Sequence, residues 1–129
     1  DELYFQGEKM FNEFRKDYGI MGITSEDPYL ISKFANWHPE CLIYMVPVYI
    51  GGKDMTEFIK DIQSDNAYSD GKRTGFAIKT MCDGLLLKDH TVNECADFVK
   101  NVNPGVVVIG TSNPNHLEEL VNIYSEGIK

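Results

Sequence analysis

The chain has 129 residues, enough for one domain to bury a core without disulfide or metal staples, and its 20 acidic residues against 12 basic ones give a formal net charge of -8. That balance excludes a nucleic-acid backbone as the main partner, because no basic patch offsets the repulsion. Three separated cysteines outside any CxxC pattern indicate neither a disulfide framework nor a zinc ribbon, the histidines lack metal-ligand spacing, and no apolar run reaches the roughly 20 residues of a membrane span, so a metal-free protein in the reducing cytoplasm, away from membranes, is expected.

The opening heptad DELYFQG, residues 1–7, resembles a protease-cleavable tag, so the folded domain is taken as residues 8–129. Setting aside Asp1 and Glu2 moves the net charge from -8 to -6. Met10, Phe11 and Phe14 then have helical spacing among charged residues, predicting a short amphipathic helix that stops near Gly19.

Four similar units follow, each an apolar run, a loop of small or polar residues and a helix-period segment. In the first, residues 20–23 read as a strand, Ser25 or Asp27 can cap a helix with Pro28 in its first turn, and Tyr29, Leu30, Ile31 and Phe34 supply an apolar face. The second opens with CLIYMVPVYI, a strand by its β-branched and aromatic content, with Pro47 marking an end or a bulge. Gly51 and Gly52 break it, and Met55, Phe58, Ile59 and Ile62 mark a helix that fades into a polar loop over residues 64–74. The third has a strand over residues 76–80, the loop MCDGLLLKDH and a helix carrying Val92, Cys95, Ala96 and Val99, opened by a capping box from Thr91 to Glu94. The fourth has a strand over residues 106–109 and a helix with Leu117, Leu120, Val121 and Tyr124 on its apolar side.

Apolar strands alternating with helices predict an α/β fold, a parallel sheet covered by helices. Four βα units make half of a TIM-type (β/α)8 barrel preceded by a short N-terminal helix. Such an open arc exposes two strand edges and part of an inner apolar face, so the chain is expected to associate. A flat doubly wound sheet is the alternative.

The blocks GITSEDPYLISKF, YMVPVYI, AIKTMCDGLLL and VVVIGTSNPNHLEEL, in that order, resemble the last four βα units of the aldo/keto reductases, over roughly residues 18–124. The resemblance implies an oxidoreductase scaffold that binds NADP or NAD. Thr24 and Ser25 would then help hold the nicotinamide carboxamide. Lys79, Gly84 and Leu85 belong to the loop that crosses the pyrophosphate, and Gly110, Thr111, Ser112 and Asn113, with His116 and Glu119, to the last loop and helix, where the family holds the adenosine end. From the residues alone, a strand ending in Gly-Thr-Ser-Asn before Pro114 is either a cradle for an anion or an ordinary helix cap.

Three departures narrow that implication. Met45 stands where the family has a carboxamide-binding glutamine, Leu120 stands where it has an adenine-contacting asparagine, and no arginine follows for a 2′-phosphate. The half of the family barrel that carries the catalytic tyrosine, lysine, aspartate and histidine has no counterpart in these residues. The expected protein is therefore an aldo/keto reductase-like half-barrel with no catalytic residues of its own, inactive alone and dependent on a second copy or a complementing half-barrel chain. A non-catalytic assembly or regulatory protein on the same scaffold, or a piece of an ordinary oxidoreductase, are the alternatives.

Overall fold

Alternation along the strands decides how this chain layers. The computed structural model describes residues 2–18, 20–64 and 73–126. The elements run α1 (Glu2–Phe14), β1 (Gly22–Thr24), α2 (Pro28–Trp37), β2 (Ile43–Pro47), α3 (Lys53–Gln63), β3 (Thr74–Ile78), a pair of 3₁₀ turns (Cys82–Lys88), α4 (Val92–Val102), β4 (Val106–Val107) and α5 (Pro114–Ser125). The four strands pair in parallel in the order β1-β2-β3-β4. A doubly wound sheet reverses its order at a switch point; this one does not, and its helices pack each on the next, α1 on α2 through to α4 on α5. The chain is an α/β protein with the sequential winding of a half-barrel.

One face of the sheet meets those helices. Tyr44 and Val46 of β2 and Ala77 of β3 are buried, and Tyr44 lies edge-to-face on Phe58 of α3 at 5.6 Å. Gly75 is glycine for a reason of space: a Cβ there would sit 2.3 Å from Ile59 Cδ1. The pleat sends the intervening residues to the other face. There Thr24, Met45, Phe76 and Val106 stand in one row by register. Ile43 and Ile78 flank the row in β2 and β3, both half-buried, and Val108, just past β4, is 39% exposed.

Several helix starts follow the sequence. Asp27 caps α2, its Oδ1 accepting the N–H of Tyr29 at 2.9 Å and of Leu30 at 3.3 Å, with Pro28 in the first turn. Thr91 Oγ1 accepts the Glu94 N–H at 3.1 Å. The reciprocal half of that capping box is absent from the described contacts, because the Glu94 carboxylate is 3.1 Å from His90 Nδ1. Met55, Phe58, Ile59 and Ile62 of α3, and Val92, Cys95, Ala96 and Val99 of α4, are all buried as their spacing requires.

Other expectations shift. β1 begins two residues late, leaving Ile20 69% exposed, and gains a bond at its end, where Thr24 Oγ1 donates to the Met45 carbonyl at 2.8 Å. β3 takes in Thr74, whose N–H donates to the Leu42 carbonyl at 2.8 Å, so the polar loop ends earlier than composition suggests; residues 65–72 of that loop lie outside the described residues. Of the apolar side expected on α5, Leu120 alone is fully buried, while Leu117 and Val121 are 44% and 47% exposed, because no described element packs over that side. Tyr29 and Trp37 also point outward.

Helix α1 starts inside the tag-like heptad and packs through it. Tyr4 and Phe11, seven residues apart on one stripe, are buried with their rings edge-on to Phe34 at 6.1 and 5.2 Å. Polar contacts close the same joint: His38 Nε2 is 2.6 Å from Glu8 Oε2 and its Nδ1 is 3.1 Å from Glu40 Oε1. Burial alone would raise the Glu40 pKa, but hydrogen bonds from its own backbone N–H and from His38, with the charges of His38 and Arg15, hold it below the ordinary carboxylate value.

Two long-range side chains tie the ends of the layers. Gln63 Oε1 accepts the N–H groups of Gly75 at 2.9 Å and Gly105 at 2.7 Å, and its amide donates to the Asn103 carbonyl at 2.9 Å. Arg73, only 5% exposed, donates from Nη2 to the carbonyls of Ala35 at 2.8 Å and His38 at 3.4 Å and lies over the Tyr44 ring. It thereby satisfies carbonyls at the end of α2 that have no partner within the helix. Arg73→Met keeps the stem and removes the donor to the Ala35 carbonyl, while the His38 carbonyl still accepts the Cys41 N–H at 3.1 Å, so urea unfolding should show a loss of roughly 1.5–3 kcal/mol, the range for hydrogen bonds to charged groups; an unchanged midpoint would remove this role.

Candidate functional site

The carboxyl ends of β3 and β4 form a recess lined by polar loop residues. β3 stops at Lys79, whose φ of 53° lies in the left-handed region, and Cys82, Asp83 and Gly84 follow there at 51°, 56° and 87°. Only glycine enters that region freely; each of the others costs on the order of 1 kcal/mol, a strain that binding loops commonly carry. The turn is pinned by Cys82 N–H to the Lys79 carbonyl at 2.8 Å and Gly84 N–H to the Met81 carbonyl at 3.0 Å.

β4 runs out into Gly110, Thr111, Ser112 and Asn113. The Asn113 side chain caps α5, its Oδ1 accepting the N–H of Asn115 at 2.9 Å and of His116 at 3.4 Å, while its own N–H donates to Thr111 Oγ1 at 3.1 Å. Pro114 has no N–H to offer. The first turn of α5 is thus an ordinary capped helix start. The donors that remain are upstream of it: among the described residues, the backbone N–H groups of Thr111 and Ser112 and the Ser112 hydroxyl have no partner.

Between the two loops lies a cleft of roughly 510 Å³, lined by Lys79, Asp83, Gly84, Thr111, Ser112 and His116, with Gly110 and Asn113 at its edge and Thr80 and Met81 as floor. The size suits a small ligand. Behind the floor, burial pushes the Tyr124 phenol above its usual pKa, so it stays protonated at neutral pH. Lys79 is not a free cation in this cleft. Its Nζ lies against Glu26 Oε1 at 2.5 Å, bridging from β3 across to the loop after β1, and the hydrogen bond and charge of Glu26 raise the lysine pKa.

Seven of the eleven residues assigned by resemblance therefore meet in one place: Lys79, Gly84, Gly110, Thr111, Ser112, Asn113 and His116. Leu85 is on the same loop but 60% exposed and outside the cleft. Glu119 points to solvent from α5. Thr24 and Ser25 lie apart, on a separate apolar groove of roughly 410 Å³ between α1 and β1. Their hydroxyls are already engaged, Thr24 with the Met45 carbonyl and Ser25 with the Asp27 N–H at 3.0 Å. Met45 faces the uncovered side of the sheet and has no hydrogen-bonding group to offer a carboxamide.

Sequence reasoning missed three features here: the Glu26–Lys79 bridge, Asp83 as a carboxylate inside the cleft, and the His38 cluster at the opposite joint. Each pairs residues remote in sequence or depends on a loop turn, and no local spacing announces them. Among the described residues no group of three or more His, Cys, Asp or Glu is placed to hold a metal ion, and no helix is long and apolar enough to cross a membrane. Comparison with known proteins finds no matching family model, curated protein or solved structure.

The Glu26–Lys79 bridge gives a direct test. Because the folded-state pKa is raised, the stabilisation it brings is complete below the ordinary lysine value and is lost as pH rises through the raised one. In Glu26→Gln, the Lys79 side-chain NMR signals should titrate at lower pH than in the parent; identical midpoints would mean the bridge does not form.

Proposed function

We propose that this chain is an aldo/keto reductase-like half-barrel that anchors the phosphates of a nicotinamide dinucleotide between β3 and β4 and does no hydride chemistry by itself. The observation that carries the reading is the convergence of residues from two separate loops, seven of those assigned by resemblance, on one cleft of ligand size.

The two ends of the cofactor fare differently. At the phosphate end the residues fit: backbone N–H groups of Thr111 and Ser112 and the Ser112 hydroxyl can donate to phosphate oxygens, and Gly84 permits close backbone approach. At the carboxamide end they do not, since Thr24 and Ser25 spend their hydroxyls within the fold and Met45 replaces an amide by a thioether. A bound NADP or NAD would supply a hydride; of the groups near the cleft, the Tyr124 hydroxyl is buried behind the floor and Lys79 is held by Glu26, which leaves His116 and Asp83 as the protonatable side chains on its lining. Activity would require residues from a second copy or a complementing chain. A reducing, cytoplasmic setting, in which Cys41, Cys82 and Cys95 remain thiols, belongs to the same reading.

A second reading, a non-catalytic assembly protein, is favoured by Met45 itself, which serves an apolar sheet face better than a cofactor. Titration separates the two. If only phosphates are held, ADP and NADPH should bind with affinities within about threefold of each other, measured by calorimetry and by nicotinamide fluorescence, and Ser112→Glu should abolish both by placing a carboxylate among the donors. Absence of binding by either ligand at millimolar concentration would leave the assembly reading standing.

A further inference from the structure

The two free flanks of the sheet differ, and they match each other. On the β4 flank, Val106 and Val108 are 38% and 39% exposed, and α5, which packs on α4, turns Leu117 and Val121 outward one helical turn apart, at 44% and 47% exposure. On the β1 flank there is the apolar groove of roughly 410 Å³, walled by Met10 and Phe14 of α1 together with Leu3, Tyr4 and Gly7 of the tag-like heptad, by Met21 just before β1 and Ile23 within it, and by Leu30 of α2. Met10 and Phe14 are themselves 57% and 43% exposed, and Ile20 at the entry to β1 is 69% exposed. One flank is a ridge and the other a trough.

We infer that the occupant of this groove is a second copy of the chain: its α5 ridge seats between α1 and β1, which brings β4 of one protomer beside β1 of its partner. The inference rests on the half-barrel reading above and names its partner. Two such contacts, related by a two-fold axis running along the sheet stack, close a ring of eight parallel strands, four from each copy, so neither ridge nor trough remains unpaired. The half-buried row formed by Met45, Phe76 and their neighbours then becomes interior.

Area permits this occupant. Taking on the order of 150 Å² for a fully exposed apolar side chain, the seven fractional exposures above amount to roughly 500 Å² per copy, or about 1,000 Å² for the pair, the lower bound for a specific interface. Charge opposes it, since each copy carries a formal net charge of -8. Screening that repulsion should therefore tighten the dimer.

Sedimentation equilibrium of the full chain over about 5–200 µM should show a species of twice the 14.6 kDa chain mass, favoured at 0.5 M over about 0.05 M salt. Val121→Lys and Met10→Glu each alter an exposed position, so far-UV circular dichroism should show both folded, and each alone should be monomeric. Mixed together they should dimerise again, because the mixed ring has one lysine-to-glutamate contact and one unaltered contact. A parent chain that stays monomeric throughout, higher open-ended oligomers, or variants that dimerise alone or fail to rescue each other would overturn the inference. NADPH titration of the same samples keeps the two readings apart: dimerisation without nucleotide binding sinks only the cofactor reading, and nucleotide binding by an obligate monomer sinks only this one.

Discussion

The constraint on which the structure depends is that every helix lies on one side of the sheet. Each βα unit sends its helix over the gap to the next strand, and four units wound the same way bury Tyr44, Val46, Gly75 and Ala77 but leave the opposite residues without a covering layer. A closed eight-strand barrel buries that second face against itself; four strands cannot. The parallel edges add to the problem, because β1 and β4 each present backbone groups with no strand beside them among the described residues.

The same geometry places the cleft. In singly wound βα folds the loops after the strands gather at one end, where helix starts and strand ends present N–H groups together. Here the loops after β3 and β4 meet, and their chemistry is that of backbone amides and hydroxyls more than of charged side chains, since Lys79 is matched by Glu26 and Asp83 adds a carboxylate. Under the proposed reading such a site suits a ligand rich in acceptor oxygens, while the other end of the fold is stitched by Gln63, Arg73 and the His38 cluster.

Much of this was legible in the residues. Runs such as YMVPV, with β-branched and aromatic side chains between turn formers, specify strands, and buried quartets such as Met55, Phe58, Ile59 and Ile62 specify a helix face directly. Asp27 with Pro28, and Asn113 with Pro114, fix two helix starts to the residue. Strand ends were less legible: Ile20 has strand composition but no partner across the sheet, whereas Thr74 gains one from Leu42. Leu117 and Val121 follow a core pattern, yet they are exposed, because periodicity marks a face to be covered without saying which chain covers it. In the site, small loop residues converged as their order suggested, while the hydroxyls of Thr24 and Ser25 were taken by backbone partners that no spacing reveals.

The central claim is that the second face of the sheet and its two edges are open in a single chain and shielded only by association. Hydrogen–deuterium exchange at the β1 and β4 amides, followed from low micromolar to high micromolar concentration, measures this directly. Exchange that is rapid when dilute and slows severalfold as concentration rises, with β2 and β3 protected throughout, is the predicted result. Protection of all four strands that is independent of concentration would contradict the account, because the edges would then already be covered within one chain.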